Sequence, residues 1–325
     1  MLYREAINLA MDETMSEDTN IILLGEDIAE VGGTFRVTEG LLKKYGKTRV
    51  IDTPIAELSI VGNAIGMAIG GLRPVVELMT ANFSLLAFDQ IVNHMAKLPF
   101  MSAGKIRLPL VLRMPQGVSK QLGAQHSENY ENMLSSIPGL FVFAVSSPNY
   151  AYHALKKAIK MDDPVIFIEH ELLYNKKEEI DRSSDLDPFK ARIIKEGTDI
   201  TIISYLKMLD DTASVLEEIE KELNCSCELI DLCSLNPVDF KSLEISIKKT
   251  GRLIMIEEGH RMGSYGAQII SWAVEELFYF LDAAPLRLCG ENVPIAYNRK
   301  LELASIPTPK SIKKDIINWG TNNGL

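Results

Sequence analysis

Short apolar runs alternate with helical patterns along nearly the whole chain, and this alternation is what most constrains the fold. The runs NIILLGED (20–27), RPVVEL (73–78), LPLVLRMP (108–115) and PVIFIEH (164–170) have the length of buried strands. Helical patterns separate them, among them LLAFDQIVNHMAKL (85–98), which predicts one helix. Strands that alternate with helices at this pace predict parallel sheets covered on both faces. The predicted fold class is therefore α/β and doubly wound, with active-site residues at the carboxyl ends of strands.

The alternation is interrupted once, and this interruption predicts two domains. Residues 175–196 read NKKEEIDRSSDLDPFKARIIKE, a polar and charged stretch typical of an interdomain linker. The alternation then resumes with the strand DITIISY and a helix predicted over MLDDTASVLEEIEKEL (208–223). The length of 325 residues is enough for two domains of ordinary size. We predict a first domain over residues 1–175, a linker over 176–196 and a second, smaller α/β domain over 197–325.

Composition and charge exclude several classes of partner. A net charge of −10 disfavours nucleic acid and anionic membranes, and no apolar run reaches the roughly 20 residues that span a bilayer. The N-terminus reads as an acidic amphipathic helix rather than a signal or transit peptide, so we expect the chain to begin where its fold begins. The four cysteines show no CxxC spacing and predict reduced thiols. Cys225 and Cys227 are expected on opposite faces of a strand, which argues against zinc.

One carboxylate stands almost alone in the apolar segment Asp52–Glu77. Thr53 is a plausible N-cap and Pro54 suits the first turn, so a helix buried nearly all round is predicted to begin there, with Glu57 in its first turns. Glu57 could be a simple capping carboxylate. A capping box, however, would place the acid at position 56, which is alanine. We favour a functional role, because buried carboxylates concentrate at active sites.

Four further residues are candidates for the site. Glu26 and Arg113 each follow a strand, and either could instead belong to a structural ion pair. Phe83 follows the strand-like run VVELM and could be a stacking platform or part of the core, of which we favour the core. His126 lies in the polar loop GVSKQLGAQHSEN, where a role in proton transfer or substrate binding and a solvated surface position are equally compatible with the sequence.

Other common motifs either have a structural explanation or do not occur in this chain. Gly62, Gly66 and Gly70 recur every four residues inside a predicted helix, which indicates close helix packing rather than a dinucleotide-binding turn. The chain contains no GxxxxGK[ST], HExxH or GxSxG motif. The common NTPase, zinc protease and serine hydrolase classes are thereby excluded.

Several longer segments carry a resemblance to a known family. They are LLGEDIAEVGGTFRVTEGL, KYGKTRVIDTPIAELSIVGNAIGMAIGGLRPVVE, MTANFSLLAFDQI, QLGAQHSEN, DDPVIFIEHELLYN, EEGHRMGSYGAQI and NVPIAY. In this order the chain resembles, end to end, the beta subunits of the thiamine-diphosphate-dependent first component of 2-oxo acid dehydrogenase complexes, most closely the pyruvate dehydrogenase type. The resemblance implies a transketolase-like pyrimidine-binding domain followed by a transketolase-type C-terminal domain.

The resemblance also implies roles for the candidate residues. The glutamate matching Glu57 hydrogen-bonds N1′ of the cofactor's aminopyrimidine and so promotes loss of the thiazolium C2 proton. Phe83 matches the aromatic residue that stacks on the pyrimidine, and Glu26 matches a carboxylate near that ring. Arg113 matches an arginine at the end of a strand in the cofactor site. His126 matches an active-site loop histidine that faces the substrate or the incoming lipoyl group.

Metals and partners follow from the same resemblance. Members bind a structural monovalent cation such as K⁺ through main-chain carbonyls, which here would be those of Leu110, Ala158, Met161 and Asp163. The GDG segment that holds Mg²⁺ and diphosphate in thiamine-diphosphate enzymes is absent from this chain. A separate alpha subunit is therefore expected to supply both, in an α2β2 heterotetramer that passes its product to a lipoyl acyltransferase.

The expected activity is oxidative decarboxylation of pyruvate and acetyl transfer to a lipoyl group, which feeds acetyl-CoA formation. The alternatives are a branched-chain 2-oxo acid or acetoin dehydrogenase beta subunit, and a scaffold subunit without turnover. The expected compartment is a plastid stroma or a bacterial cytoplasm. Two departures from relatives stand out: Met114 occupies the glycine position of an RGPxG turn, and Leu86 stands where some relatives carry Gln.

Overall fold

The chain forms two compact units that exchange short segments. The computed structural model describes residues 1–184 and 186–325. Unit 1 comprises residues 1–116, 133–188 and 235–237, and unit 2 comprises residues 117–132, 189–234 and 238–325. Within the described residues, no helix is both long enough and apolar enough to cross a membrane.

Unit 1 is built on a sheet in which seven strands are found among the described residues. In sheet order β10-β5-β6-β4-β3-β1-β2, they are β10 (Ser234–Asn236), β5 (Phe141–Ala144), β6 (Val165–His170), β4 (Val111–Gln116), β3 (Arg73–Glu77), β1 (Ile21–Gly25) and β2 (Val50–Asp52). The register given for the pairs from β5 across to β2 is parallel throughout. The central strands are buried on both faces, as expected when helices cover a parallel sheet.

Helices flank this sheet, and their sequences show why they form. They are α1 (Tyr3–Glu17), α2 (Leu41–Tyr45), α3 (Glu57–Ile69), α4 (Leu98–Met101) and α6 (Pro148–Lys160). The short helix α5 (Glu131–Ser135) has its first two residues in unit 2 and the rest in unit 1. Ser147 caps α6 by accepting a hydrogen bond from the Tyr150 N–H, and Pro148 stands at its first position. The apolar faces of α1 and α6 pack against each other.

Unit 2 is a smaller α/β unit on a mixed sheet. In sheet order β12-β11-β8-β9-β7, its strands are β12 (Leu286–Gly290), β11 (Leu253–His260), β8 (Ile200–Ser204), β9 (Cys227–Asp231) and β7 (Arg192–Lys195), of which β7 is antiparallel to β9. Its helices are α7 (Leu206–Ala213), α8 (Leu216–Leu223), α9 (Phe240–Thr250), α10 (Gly266–Leu277), α11 (Arg299–Ala304) and α12 (Pro309–Asn322). The predicted α/β class is confirmed in both units.

Some predicted boundaries differ from the structure. The predicted linker, whose residue Asp185 lies outside the described residues, contains β7, which joins the second sheet. A single helix is predicted over LLAFDQIVNHMAKL. The structure instead has a 3-10 segment, Ala81–Ala87, followed by a short π-helix, Gln90–Met95. The helix predicted from Met208 to Leu223 is two helices, α7 and α8.

The prediction that Cys225 and Cys227 lie on opposite faces of a strand is wrong. β9 begins only at Cys227, so strand alternation does not apply to both residues. Their Sγ atoms lie 3.8 Å apart, and both cysteines are free thiols. Burial raises the pKa of both thiols, which keeps them protonated and weakly nucleophilic. No cluster of three or more metal-ligating side chains occurs in the part of the chain that the structure describes.

Candidate active site

Two buried carboxyl groups meet where β1 and α3 adjoin. Glu26 directly follows β1 and is 5% exposed, and Glu57 is the first residue of α3 and is 4% exposed. Burial raises the pKa of Glu26, and the nearby charge of Glu57 raises it further. Among residues 1–184 and 186–325, Oε1 of Glu26 accepts no hydrogen bond and the Glu57 carboxyl has no donor. Buried carboxyls without donors are rare unless a ligand supplies them.

The start of α3 differs from the prediction, and the difference places Glu57. The helix begins at Glu57 with Ala56 as its N-cap, not at Thr53. Thr53 is instead bound to the neighbouring strand, because its N–H donates to the Gly25 carbonyl at 2.9 Å. Glu57 therefore stands at the N-terminus of α3, where the helix dipole stabilises negative charge.

The prediction that α3 is buried nearly all round is wrong for the single chain. Ile60, Val61, Ala64, Ile65 and Ala68 are buried with Glu57 on one face. The opposite face is open: Leu58 is 51% exposed, and a Cβ added at Gly66 would meet nothing within 4 Å. An apolar helix with one uncovered face is typical of a surface that another chain covers.

Phe83 lies in the 3-10 segment Ala81–Ala87, which contacts α3. Its side chain is half-buried, and its backbone N–H donates to the Thr80 carbonyl at 3.0 Å. Unit 1 thus contains Glu26, Glu57 and Phe83, and both β1 and the segment that carries Phe83 contact α3. Stacking of Phe83 on a ligand stays a prediction.

Arg113 lies in β4 and belongs to a buried ion-pair network. Its Nη1 lies 2.7 Å from Oε2 of Glu77 on β3, and its Nη2 donates to Oε2 of Glu169 on β6 at 2.9 Å. Its Nε lies 2.8 Å from Oε1 of Glu169, a charge contact that lacks hydrogen-bond geometry. The Tyr174 hydroxyl also donates to Glu169, at 2.7 Å. The structure therefore gives Arg113 the ion-pair role that the sequence left open, and its contact with a cofactor stays a prediction.

His126 lies in unit 2, on the segment 117–132, which we call the histidine loop. Its side chain is half-buried, and its backbone N–H donates to the Gly123 carbonyl at 3.2 Å. The loop is attached to unit 2 at several points. Glu258 Oε1 accepts from the Val118 N–H at 2.6 Å, and His260 Nε2 lies 2.7 Å from Glu128 Oε2.

Unit 2 also holds a buried acidic pair that sequence reasoning missed. The Tyr205 hydroxyl lies 2.9 Å from Oε1 of Glu131 and 3.3 Å from Oε2 of Glu257. The pKa of Glu257 is raised to about 7, mainly by burial and in part by the charge of Glu131, while the hydrogen bond from the Gly266 N–H opposes the rise. The double acid in IEEGH was the available signal, but the run reads equally well as the end of a strand.

The carbonyls predicted to hold a monovalent cation are largely engaged. The Leu110 carbonyl accepts from the Val165 N–H at 2.9 Å, and the Ala158 carbonyl accepts from the Met161 N–H at 3.2 Å. The Met161 carbonyl accepts from Nη2 of Arg73 at 2.6 Å. Asp163, the fourth residue of that set, is exposed. The Arg73 guanidinium places a positive charge at this turn, which does not favour a cation there.

The two departures from relatives have simple structural settings. Met114 is fully buried in β4, paired with Ile168 of β6, and is not among the residues with positive φ. The turn after β4 takes its positive φ at Gly117, at 102°. Methionine at position 114 is therefore compatible with the backbone. Leu86 is exposed.

Comparisons with known proteins define the class of this chain. The family described as "Transketolase, pyrimidine binding domain" matches residues 1–177, and "Transketolase, C-terminal domain" matches residues 189–312. A solved structure titled "Split gene transketolase, inactive beta4 tetramer" superposes with a TM-score of 0.81 over 99% of this chain and 98% of that one, at 21% identity. The fold is thus the transketolase-type pair of domains.

Sequence relatives narrow the class. A chain from Gracilaria tenuistipitata var. liui named pyruvate dehydrogenase E1 component subunit beta is 43% identical over 96% of this chain and 97% of its own length. A chain of that name from Rickettsia bellii is 42% identical, covering 97% and 96%. A mitochondrial one from Pisum sativum is 43% identical, covering 96% and 88%. The chain belongs to the family of pyruvate dehydrogenase E1 component beta subunits.

Proposed function

We propose that this chain is the beta subunit of a thiamine-diphosphate-dependent pyruvate dehydrogenase and supplies the pyrimidine-binding half of its active site. With an alpha subunit it catalyses oxidative decarboxylation of pyruvate and acetyl transfer to the lipoyl group of an acyltransferase. The observation that carries the proposal is the pair of buried carboxyls, Glu26 and Glu57, that have no donor within the described part of the chain. An aminopyrimidine ring whose N1′ shares a proton with Glu57 would give that carboxyl its hydrogen-bond partner.

The residues fit thiamine diphosphate, whose thiazolium carbon supplies the nucleophile when the cofactor is bound. Glu57 holds and moves a proton at the pyrimidine N1′, and its position at the start of α3 fixes the carboxyl at one point. Burial raises the pKa of Glu26, and the charge of nearby Glu57 raises it further, so Glu26 favours its neutral form beside Glu57. Phe83 would hold the ring plane, because its segment contacts α3.

The other half of the site belongs to an alpha subunit. The chain has no GDG segment for Mg²⁺ and diphosphate. The open face of α3 suits an obligate interface, which is large and apolar. Leu58 and Gly66 lie on that face, and Phe100 of the same unit is 88% exposed. The proposed assembly is an α2β2 heterotetramer that passes its acetyl group to a lipoyl acyltransferase.

His126 is proposed to transfer protons in the steps that follow cofactor activation, facing the substrate or the lipoyl group. Its loop is attached to unit 2 rather than lying free, which suits a residue that must be held in place. The K⁺ site stays a prediction that the Arg73 contact does not favour. The compartment is proposed to be a plastid stroma if the gene is organellar, and otherwise a bacterial cytoplasm.

The test is Glu57→Gln in the co-expressed tetramer. A neutral amide cannot exchange the proton, so we expect overall activity to fall on the order of a hundredfold or more while the tetramer stays assembled. Hydrogen–deuterium exchange at the cofactor C2 measures the step directly. C2 exchange at the wild-type rate in Glu57→Gln would refute the proposed role of Glu57. Glu217→Gln, an exposed glutamate on α8, is the matched control.

Two other functions remain as alternatives. A branched-chain 2-oxo acid or acetoin dehydrogenase beta subunit would use the same residues, and steady-state assays of the tetramer with pyruvate and branched 2-oxo acids separate these activities. A scaffold subunit without turnover is the other. The retention of Glu57, Glu26 and His126 argues against it, because a scaffold has no use for buried carboxyls without donors.

A further inference from the structure

The shape of the histidine loop is not set by regular secondary structure. Between Gly117 and Tyr130 the backbone forms only turns and bends. Lys120 and Gln121 have φ of 51° and 61°, in the left-handed region that L-residues rarely adopt. Such a path persists only where surrounding contacts hold it. The position of His126 therefore depends on what the loop is attached to.

One side chain holds both stems of the loop. Oε1 of Glu258, at the end region of β11, accepts from the Val118 N–H at 2.6 Å and from Nδ2 of Asn129 at 3.1 Å. Val118 opens the loop and Asn129 lies near its end, so the same oxygen atom ties the entry to the exit, with His126 between them. Glu258 is 6% exposed, so water competes little for these hydrogen bonds.

The loop has other anchors, which makes the contribution of Glu258 separable. Glu302 Oε1 accepts from the Gln121 N–H at 2.9 Å, and His260 Nε2 lies 2.7 Å from Glu128 Oε2. These contacts hold the middle of the loop and the residues after His126. Loss of Glu258 therefore releases the stems without detaching the loop.

We propose that Glu258 is a positioning residue, which fixes the place of His126 by joining the two stems of its loop. The proposal rests on the proposed role of His126. The Val118 and Asn129 donors share one Glu258 oxygen, which the amide oxygen of glutamine also supplies and alanine does not. Proton transfer is sensitive to such placement, because a misplacement of about 1 Å can cost on the order of a hundredfold in rate.

The experiment compares Glu258→Ala, Glu258→Gln and Asn129→Ala in the co-expressed tetramer. With a lipoyl-domain acceptor, we expect kcat of Glu258→Ala to fall about 10- to 100-fold and that of Glu258→Gln to stay within about threefold of wild type. Asn129→Ala, which loses its own hydrogen bond to Glu258 and keeps that of Val118, should lie between them. Cofactor C2 exchange should keep the wild-type rate in all three. Exposed Glu217→Ala is the matched control.

Two further measurements separate positioning from general damage. Backbone amides of residues 118–130 should exchange faster in Glu258→Ala and not in Glu258→Gln. The double variant Glu258→Ala/His126→Ala should be no slower than His126→Ala, because both changes act on one step.

The proposal is overturned if Glu258→Ala keeps full activity, if Glu258→Gln is as slow as Glu258→Ala, or if the two losses multiply. If His126→Ala alone keeps full activity, the proposed role of His126 fails. Amide exchange and the rate of Glu258→Ala then still decide whether Glu258 holds the loop.

Discussion

Replacing Glu257 with glutamine should make the stability of unit 2 less dependent on pH. Burial raises the pKa of Glu257 to about 7 in the folded chain, while an unfolded glutamate titrates near 4.5. Because the folded pKa is the higher one, the buried acid costs nothing below pH 4.5. As the pH rises from there to about 7, the unfolded chain ionises first and unfolding becomes easier. Above pH 7 the loss is complete and constant.

The magnitude follows from the separation of the two pKa values. A difference of one pKa unit corresponds to about 1.4 kcal/mol. The separation of the two pKa values therefore lowers the unfolding free energy by about 3 kcal/mol between pH 4.5 and pH 8. Glutamine removes this titration and keeps an acceptor for the Gly266 N–H, which donates to Glu257 at 2.8 Å. The difference in unfolding free energy between the variant and the wild type should therefore grow by about 3 kcal/mol in favour of the variant from pH 4.5 to pH 8.

The assay is urea unfolding of the full-length chain at half-unit steps from pH 5 to pH 8, following the transition of unit 2. Trp272 and Trp319 both lie in unit 2, so tryptophan fluorescence reports on it. Exposed Glu217→Gln controls for the loss of one negative charge. Parallel stability curves for wild type and Glu257→Gln would refute the reasoning, because they would mean that this carboxyl ionises equally in the folded and unfolded chains.

Three further predictions test other parts of the structure. Arg113→Met leaves two buried carboxylates without their cation, so the chain should lose about 3–5 kcal/mol in urea unfolding, and an unchanged midpoint would contradict the ion-pair assignment. Gly66→Leu projects into open space, so the melting temperature of the single chain should hold while size-exclusion chromatography shows loss of the tetramer with the alpha subunit; a normal tetramer would exclude this face from the interface. Gly197→Ala would place a Cβ 2.2 Å from the Cys227 backbone and should cost about 1–3 kcal/mol or more, with Gly66→Ala as the control; equal stability of the two variants would show that the contact relaxes freely.

Local pattern predicted the parts of this fold that depend on neighbours in sequence. The strands before Glu26 and around Arg113 were predictable because their apolar runs are short and bounded. Glu57 was recognisable as unusual because charge is scarce around it. The start of α3 was not predictable, because Thr53 hydrogen-bonds to Gly25 of another strand, and that contact overrides its preference for the N-cap.

Contacts between residues that are far apart in the sequence could not be predicted from local pattern. The histidine loop belongs to unit 2, where Glu258 and His260 bind it. Nothing in the sequence around these two residues indicates that their partners lie more than a hundred positions away. The exposure of α3 was missed for a related reason. Apolar composition predicts burial but does not say whether the same chain or another one provides the cover.

The exchange of segments between the two units limits how this chain can be divided. A fragment that ends in the predicted linker would lack β10, which pairs with β5 at one border of the first sheet. The border of β5 would then expose unpaired backbone groups, a template for aggregation. The complementary fragment would lack the histidine loop and remove the Val118 and Asn129 hydrogen bonds to Glu258. The polar stretch that looks like the natural place to cut is therefore a poor site for separating the halves, and a stable excised unit 1 would need the short piece 234–237 restored by a new connection.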